Sequence, residues 1–304
     1  MAVQTSKRVF STLAQVKAAG LELQQIAQRV EPASLLMCEP TYFEVKDAKN
    51  PHMEGNLNAV DVQLATAQWK ELKKTYEGLG FPVHVLPAQT GLEDMVFAAN
   101  QVLPGLDARG PYVVLAEMVH TSRRLEVPYY SQWFQAHGYR VMKLTHEALP
   151  PRFEGQGDAC WHPYRELLYV GYGFRTEESA LTALSEVTGM PVIKLKLVDP
   201  RFYHLDTCLC ALDENTALVY PPAFENSGME MIRHFFTNII ELSDADALNF
   251  AGNALALQRH VILQRGSDQT CRQLESAGFT PLEVDTSEFM KSGGSVYCLK
   301  MMVY

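Results

Sequence analysis

The sequence predicts an α/β protein assembled from repeated units, and three observations carry that expectation. Five segments of one kind recur, each an apolar run that meets a small or polar turn and continues as a second apolar run. They are DMVFAANQVL (94–103), FEGQGDACWH (153–162), FYHLDTCLCAL (202–212), LNFAGNALAL (248–257) and GGSVYCLKMMVY (293–304). Measured between Asn100, Asp158, Asp206, Asn253 and Cys298, the steps are 58, 48, 47 and 45 residues. A near-constant step of that size suggests units that each supply one strand to a common centre. Stretches of helical period lie between the segments, and strand units alternating with helices define the α/β class.

Taken in order, the chain opens with Lys7, Arg8 and Lys17 and has no acidic residue before Glu22. Leu13, Val16, Leu23, Ile26 and Val30 recur at roughly helical spacing, so residues 1–33 read as an N-terminal helical extension. A basic, Ser/Thr-containing start of this kind is also what an organelle transit segment looks like; a helix packed on the domain is the alternative. No Pro/Gly/Ser-rich linker or charge block divides the chain after that, so residues 34–304 read as one domain.

Asp61 to Leu79 places Val62, Ala65, Trp69, Leu72 and Tyr76 on one face, with Gly80 as the stop. Further helices are expected from Thr176 to Ser185, from Met229 to Leu242 and from Cys271 to Ala277. A doubly wound nucleotide-binding sheet would need a G-x-G-x-x-G turn after its first strand. Gly155-Gln-Gly157 and Gly171-Tyr-Gly173 both lack the third glycine, which argues against that layout.

Composition removes several function classes. The 304 residues are 47% apolar, enough for a sizeable core, and 26 basic against 35 acidic residues leave a net charge of −9. A surface of that sign does not displace counterions from nucleic acid. No apolar run reaches the roughly 18 residues a membrane span needs, and no apolar h-region marks a secretory signal. Six cysteines without a C-x-x-C pair are too sparse for a disulfide scaffold, so a reducing compartment, the cytoplasm, is expected. Assembly into a homo-oligomer is left open.

The chemistry concentrates in the turns. In a strand, His204 and Asp206 would project from the same face, a proton shuttle beside a carboxylate able to bind a cation. A half-buried edge strand satisfying backbone groups is the plainer reading. Glu154 and Asp158 add two carboxylates on a turn sharpened by two glycines. Ser292-Gly293-Gly294-Ser295 lets backbone approach a ligand and delivers Cys298 to the start of an apolar strand. That thiol needs a neighbouring imidazole or a cationic substrate to become a thiolate. His204, Cys208, Cys210 and Cys298 match no common zinc spacing, and Cys208 and Cys210 read as core residues. Neither a metal nor an organic cofactor is expected.

Together NPHMEGN (50–56), EDMVFAAN (93–100), FEGQGDA (153–159), GYGFRT (171–176), DPRFYHLDTC (199–208) and DTSEFMKSGGSVYCL (285–299) resemble the guanidine-modifying enzymes. That superfamily comprises arginine deiminases, dimethylarginine dimethylaminohydrolases and amidinotransferases. The resemblance runs in order from about residue 34 to 304. It implies a five-bladed α/β propeller, the pentein fold, with pseudo-fivefold symmetry. Within the superfamily the chain looks most like the catalytic domain of cyanobacterial arginine dihydrolases, which convert arginine to ornithine, carbon dioxide and two ammonia. His52 stands where their pattern has tryptophan.

The resemblance implies Cys298 as nucleophile, His204 as acid and base, and Glu154 as the group that orients His204. It implies Asp158 and Asp206 as clasps for the guanidinium nitrogens and Arg175 as partner of the α-carboxylate. Asn56 and Asn100 would hydrogen-bond an uncharged ureido group. The expected partner is therefore a guanidino amino acid, arginine first. An arginine deiminase, a dimethylargininase-like hydrolase, an amidinotransferase and a non-catalytic arginine sensor are the alternatives.

Overall fold

The computed structural model describes residues 8–145 and 149–304. Its longest helix, Val62–Gly78, begins where the Asp61 carboxylate accepts the backbone N–H groups of Gln63 and Leu64, both at 3.0 Å. A carboxylate there satisfies donors that the first turn leaves unpaired and complements the helix dipole. Ala65, Trp69, Leu72 and Tyr76 are buried along one face, as their spacing predicts, whereas Val62, expected on the same face, is exposed in the first turn. Gly80 follows at φ +85°, a backbone conformation that glycine adopts without strain.

Five small sheets share one pattern, a strand antiparallel to a second, which in turn is parallel to a third. Along the chain they are Val102–Asp107, Gly110–Leu115 and Arg140–Lys143; Ala159–Trp161, Leu168–Tyr172 and Val192–Lys196; and Leu209–Ala211, Thr216–Val219 and Asn238–Glu241. The fourth is Leu255–Leu257, His260–Gln264 and Thr280–Val284. The fifth joins the two halves of the chain: Met301–Val303 lies antiparallel to Ser34–Cys38, which is parallel to Val83–Leu86. A parallel pairing needs a crossover, and a helix supplies it each time. In sheet order these helices are Val127–Ala136, Glu178–Thr188, Asn226–Phe235, Asp268–Ser276 and Val62–Gly78.

Three sequence expectations are corrected here. The stretch from Met229 to Leu242 is not one helix: it divides into Asn226–Phe235 and the strand Asn238–Glu241, whose ladder with Thr216–Val219 fixes Ile240 in the core. The recurring segments are not strand–turn–strand units. Each polar turn opens directly into the first strand of its sheet, as in the short helical turns Gly155–Asp158 and Leu205–Thr207. The apolar residues before the turn, such as Met95, Val96 and Phe97, are buried one by one and form no ladder. Cys298 likewise sits in a turn that precedes the strand Met301–Val303.

The extension is less helical than its periodicity predicts. Val9–Phe10 adds a fourth strand to the second sheet, parallel to Val192–Ile193, before the helix Leu13–Ala18 and the short turn Leu23–Gln25. Phe10, Val16 and Ile26 are buried against Leu195 and Phe235 in one apolar cluster. Residues 1–7, on which the transit reading partly rests, lie outside the described residues. Among the described residues no helix is long and apolar enough to cross a membrane.

Candidate active site

The turns entering the five sheets meet. Glu154, at the start of the second sheet, takes His204 from the third: His204 Nε2 lies 2.7 Å from Glu154 Oε2. The other carboxylate oxygen accepts the Val119 N–H at 3.0 Å, and Arg175 Nη1 approaches Oε2 at 3.3 Å. Burial alone would raise the Glu154 carboxyl; the Arg175 guanidinium and the His204 hydrogen bond outweigh it and hold the group below the usual carboxylate range. Burial pushes the His204 imidazole down to about 4, against the opposing pull of Glu154. A neutral imidazole beside an ionised carboxylate must donate its Nε2–H, which leaves Nδ1 with a free lone pair.

Cys298 is held by the third and fourth sheets. Its S–H donates to Asp206 Oδ2 at 3.3 Å, and Asn253 Nδ2–H points at the sulfur from 3.2 Å. The same Asn253 amide accepts the backbone N–H groups of Ser295 and Cys298 at 3.0 and 3.2 Å and donates to the Asp206 carbonyl at 2.9 Å. All four of its hydrogen bonds are therefore spent on fixing the turn that carries Cys298. Burial, then the Asp206 charge, push the Cys298 thiol well above its ordinary value, while Asn253 pulls the other way. Asp206 itself is lifted to about 7 by burial.

Gly157 explains why the turn Gly155–Asp158 carries glycine. A Cβ there would lie 2.2 Å from Asn100 Nδ2 and 3.6 Å from His204 Nδ1. Asn100 from the first sheet thus packs directly on the turn that carries Glu154.

These turns line a narrow cavity, walled among others by His204, Cys298, Arg175 and Asn100. The structure brings those four predicted residues to one space and sets four others apart from it, Glu154 among them, which stands behind His204. Asp158 accepts the Thr176 hydroxyl at 2.7 Å and the Leu205 N–H at 3.1 Å, so its carboxyl ties the His204 turn to the second sheet and does not reach out as a guanidinium clasp. Asn56 donates its amide to the His52 carbonyl at 2.8 Å and does not line the cavity. Asp206 stands behind Cys298, reaching the space only through the sulfur. The expected shared strand face of His204 and Asp206 is absent, because Leu205–Thr207 is a tight helical turn that sends them to different partners.

Sequence reasoning missed several lining groups. The Asp94 carboxylate faces the cavity, 3.1 Å from Lys49 Nζ and 3.2 Å from the Ser292 hydroxyl. Asp94 lies within EDMVFAAN, so a signal for it existed. Arg123 is fixed by Glu126 at 3.1 Å and donates to Asn100 Oδ1 at 3.1 Å; nothing in its local sequence separates it from Arg124. Arg175 stacks over Tyr203, 4.6 Å from its ring centroid, and donates to the Lys49 carbonyl at 2.9 Å.

A thiol nucleophile, an imidazole with one lone pair free and a cavity walled by opposite charges suit attack on a planar cationic carbon. On this framework they define a hydrolase of the guanidine-modifying superfamily, acting on the C–N bonds of amidines. Residues 39–304 match the model for eukaryotic N,N-dimethylarginine dimethylhydrolase, and the chain belongs to that family. It is 40% identical over 268 residues to the N(G),N(G)-dimethylarginine dimethylaminohydrolase of Mycobacterium tuberculosis, covering 88% of this chain and 85% of that one. It is 38% identical over 272 residues to the bifunctional arginine dihydrolase/ornithine cyclodeaminase ArgZ of Synechocystis, covering 88% of this chain and 37% of that one. The chain thus spans little more than a third of the bifunctional relative. The solved N-terminal domain of ArgZ, a cysteine-to-serine variant bound to substrate, superposes with a TM-score of 0.84 at 35% identity, over 89% of this chain and 97% of that one.

Proposed function

We propose that this chain hydrolyses the guanidino group of free arginine through a covalent intermediate on Cys298, and that it does so twice. The observation that carries the reading is the placement of the Cys298 sulfur, 3.3 Å from Asp206 and 3.2 Å from Asn253, at the wall of the cavity that His204 also lines. The thiol proton passes to His204 Nδ1, and the thiolate forms a C–S bond to the guanidinium carbon. His204 returns the proton to the terminal nitrogen, the C–N bond breaks, and ammonia leaves. Water then gives a proton to His204 and attacks the thiouronium carbon; the C–S bond breaks and citrulline forms. A second attack on the ureido carbon expels a second ammonia, and hydrolysis of the resulting thiocarbamate yields ornithine and carbon dioxide.

Glu154 holds His204 in the tautomer with Nδ1 free and offsets the imidazolium that forms during each round. Asp94 replaces Asp158 as the carboxylate that faces the substrate cation, with Asp206 joining once Cys298 has given up its proton. Arg175 and Lys49 supply positive charge for the α-carboxylate. Asn100 serves the uncharged ureido group. Around this site we place the five sheets as the blades of an α/β propeller with pseudo-fivefold symmetry, residues 34–304, with residues 1–33 as an extension. The five repeated sheets and the junction of Met301–Val303 with Ser34–Cys38 support that arrangement. The six free thiols suit a cytoplasmic location.

The 40% identity to a dimethylarginine dimethylaminohydrolase favours a second reading, a single hydrolytic round on a methylated arginine. Incubation of the protein with arginine, citrulline, agmatine and methylated arginines, each alone, decides between them. Ornithine and two equivalents of ammonia from arginine are expected. Turnover of methylated arginine only, with citrulline as the end product, would replace the first reading with the second.

A further inference from the structure

Lys300 is wholly buried two residues beyond the nucleophile, and its ammonium makes neither a hydrogen bond nor an ion pair among the described residues. It rests on the face of the Tyr297 ring, 2.9 Å from the centroid. The ionisable groups acting on it are Asp206 from the turn Leu205–Thr207, Cys160 and Cys210 from the first strands of the second and third sheets, and Cys298. Asp206 Oδ1 is also buried without a partner. Besides Lys300, the charged or titratable groups around Asp206 are Cys298, Arg123 and Asp158, with Cys160, Cys208 and the phenols of Tyr203 and Tyr297. A buried lysine without a direct partner is costly to keep, and a neutral residue of like shape would ordinarily stabilise the fold. The lysine stands two residues from a thiol that donates to a buried carboxylate.

We propose that Lys300 is a positioning residue for the reaction, its ammonium being the counter-charge that keeps Asp206 ionised beside Cys298. This rests on Cys298 being the nucleophile. With Lys300 charged, the pair of Asp206 and Cys298 carries one proton and no net charge remains in the cluster. Asp206 can then accept the S–H hydrogen bond and, once the thiol has ionised, meet the substrate cation. Without Lys300 the carboxyl keeps its own proton to higher pH and does neither. Burial lowers the Lys300 ammonium to about 7, so the charge it supplies is itself lost as the solution turns alkaline.

The test compares wild type, Lys300→Met and Lys300→Gln by thermal unfolding and by kcat/KM for arginine from pH 5 to pH 9. Both variants should keep or raise the unfolding temperature. Both should move the acid limb of kcat/KM to higher pH by about one pH unit, which is roughly tenfold less activity at pH 6. An unmoved limb overturns the proposal. So do different shifts for Met and Gln, which would mark packing rather than charge, and a loss of fold in both. A separate arm protects the reading beneath it: alkylation of Cys298 with iodoacetamide, located by mass spectrometry, must abolish turnover. If it does not, the nucleophile assignment fails, whatever the Lys300 variants do.

Discussion

Asp206 Oδ2 lies 3.3 Å from Cys298 Sγ, and in the free protein this contact opposes ionisation of the nucleophile. A carboxylate that accepts the S–H hydrogen bond stabilises the thiol, and its charge repels a thiolate. A guanidinium entering the cavity reverses both effects, because its charge favours the thiolate and offsets the Asp206 charge behind the sulfur. The residue that restrains the free enzyme thus belongs to the loaded one. Asp206→Asn should accelerate alkylation of Cys298 at pH 7.5 by about tenfold while lowering kcat/KM for arginine by about a hundredfold, some 3 kcal/mol of transition-state stabilisation. Alkylation rates and steady-state kinetics on the same preparation check it. Slower alkylation together with lost turnover would mean that Asp206 only shapes the turn.

Replacing Cys298 by serine tests the nucleophile more simply. A hydroxyl in this buried place is far less ionised than a thiol and forms no intermediate with the guanidinium carbon. Turnover should fall below a few per cent of wild type with the unfolding temperature nearly unchanged, since Asn253 can donate to the serine oxygen as it does to sulfur. Activity well above that level would remove Cys298 from the role.

Arg175 carries two duties, and the second is visible only in the structure. Its partnership with a substrate carboxylate predicts that Arg175→Ala raises KM for arginine far more than for agmatine, which lacks that group. But Arg175 Nη1 also lies 3.3 Å from Glu154 Oε2 and helps to keep that carboxyl ionised behind His204. The variant should therefore lose kcat on both substrates, by about tenfold or more, in addition to the KM effect on arginine. A kcat unchanged on agmatine would confine Arg175 to binding.

His162 makes the fold sensitive to acid. It is fully buried, with Nδ1 2.9 Å from the Tyr169 hydroxyl, Nε2 3.0 Å from the Glu214 carbonyl and its ring stacked 4.7 Å from Phe236. Burial pushes it down to about 4, so the folded state binds a proton less readily than the unfolded chain, whose histidines titrate near 6.5. A depressed value contributes stability above about pH 6.5 that is lost as pH falls towards 4, on the order of 3 kcal/mol in full. His162→Gln keeps a hydrogen-bonding group without the titration. Its urea midpoint should therefore fall less than that of wild type between pH 7 and pH 5. Parallel losses would assign the acid sensitivity to other groups, His204 first among them.

Much of this architecture was legible before any coordinates. The helix Val62–Gly78 announces itself through its apolar stripe, of which Ala65, Trp69, Leu72 and Tyr76 are buried, and through the Gly80 stop, because both signals are local. The steps between Asn100, Asp158, Asp206, Asn253 and Cys298 expose the fivefold repetition, since each marks the same place in its unit. The segments around them were misread as paired strands because a short apolar run looks the same whether it forms a ladder or buries its side chains singly. Within the site, Cys298, His204 and Glu154 stand out by chemical type, a thiol, an imidazole and a carboxylate in turns. Lys49, Asp94 and Arg123 do not: Lys49 meets Asp94, and Arg123 meets Asn100, only when separate turns converge. Asp158 and Asn56 show the reverse, polar side chains in suggestive motifs whose hydrogen bonds are taken by Thr176, Leu205 and His52.

Asn100 offers the test of one round of hydrolysis against two. Its Oδ1 accepts Arg123 Nη1 at 3.1 Å, which fixes the orientation of the amide, and its Nδ2 is buried without a protein partner at the cavity wall. A site that only deiminates must hold a cation and release a neutral product. A site that continues must keep citrulline, whose ureido oxygen needs a donor, and Asn100 Nδ2–H is such a donor held in place. Asn100→Asp would preserve the contact with Arg123 as an ion pair and remove the donor, leaving the ureido oxygen against an acceptor. That costs about 1–3 kcal/mol, roughly one to two decades in retention of the intermediate. The citrulline-to-ornithine ratio from arginine should rise tenfold to a hundredfold in this variant at matched conversion, measured by chromatography. Asn56→Asp should leave the ratio unchanged, because the Asn56 amide is bound to the His52 carbonyl outside the cavity. A rise with Asn56→Asp and none with Asn100→Asp would exchange their roles. Citrulline as the sole product of the wild type would make the chain a single-round hydrolase, with Asn100 fixing Arg123 rather than the intermediate.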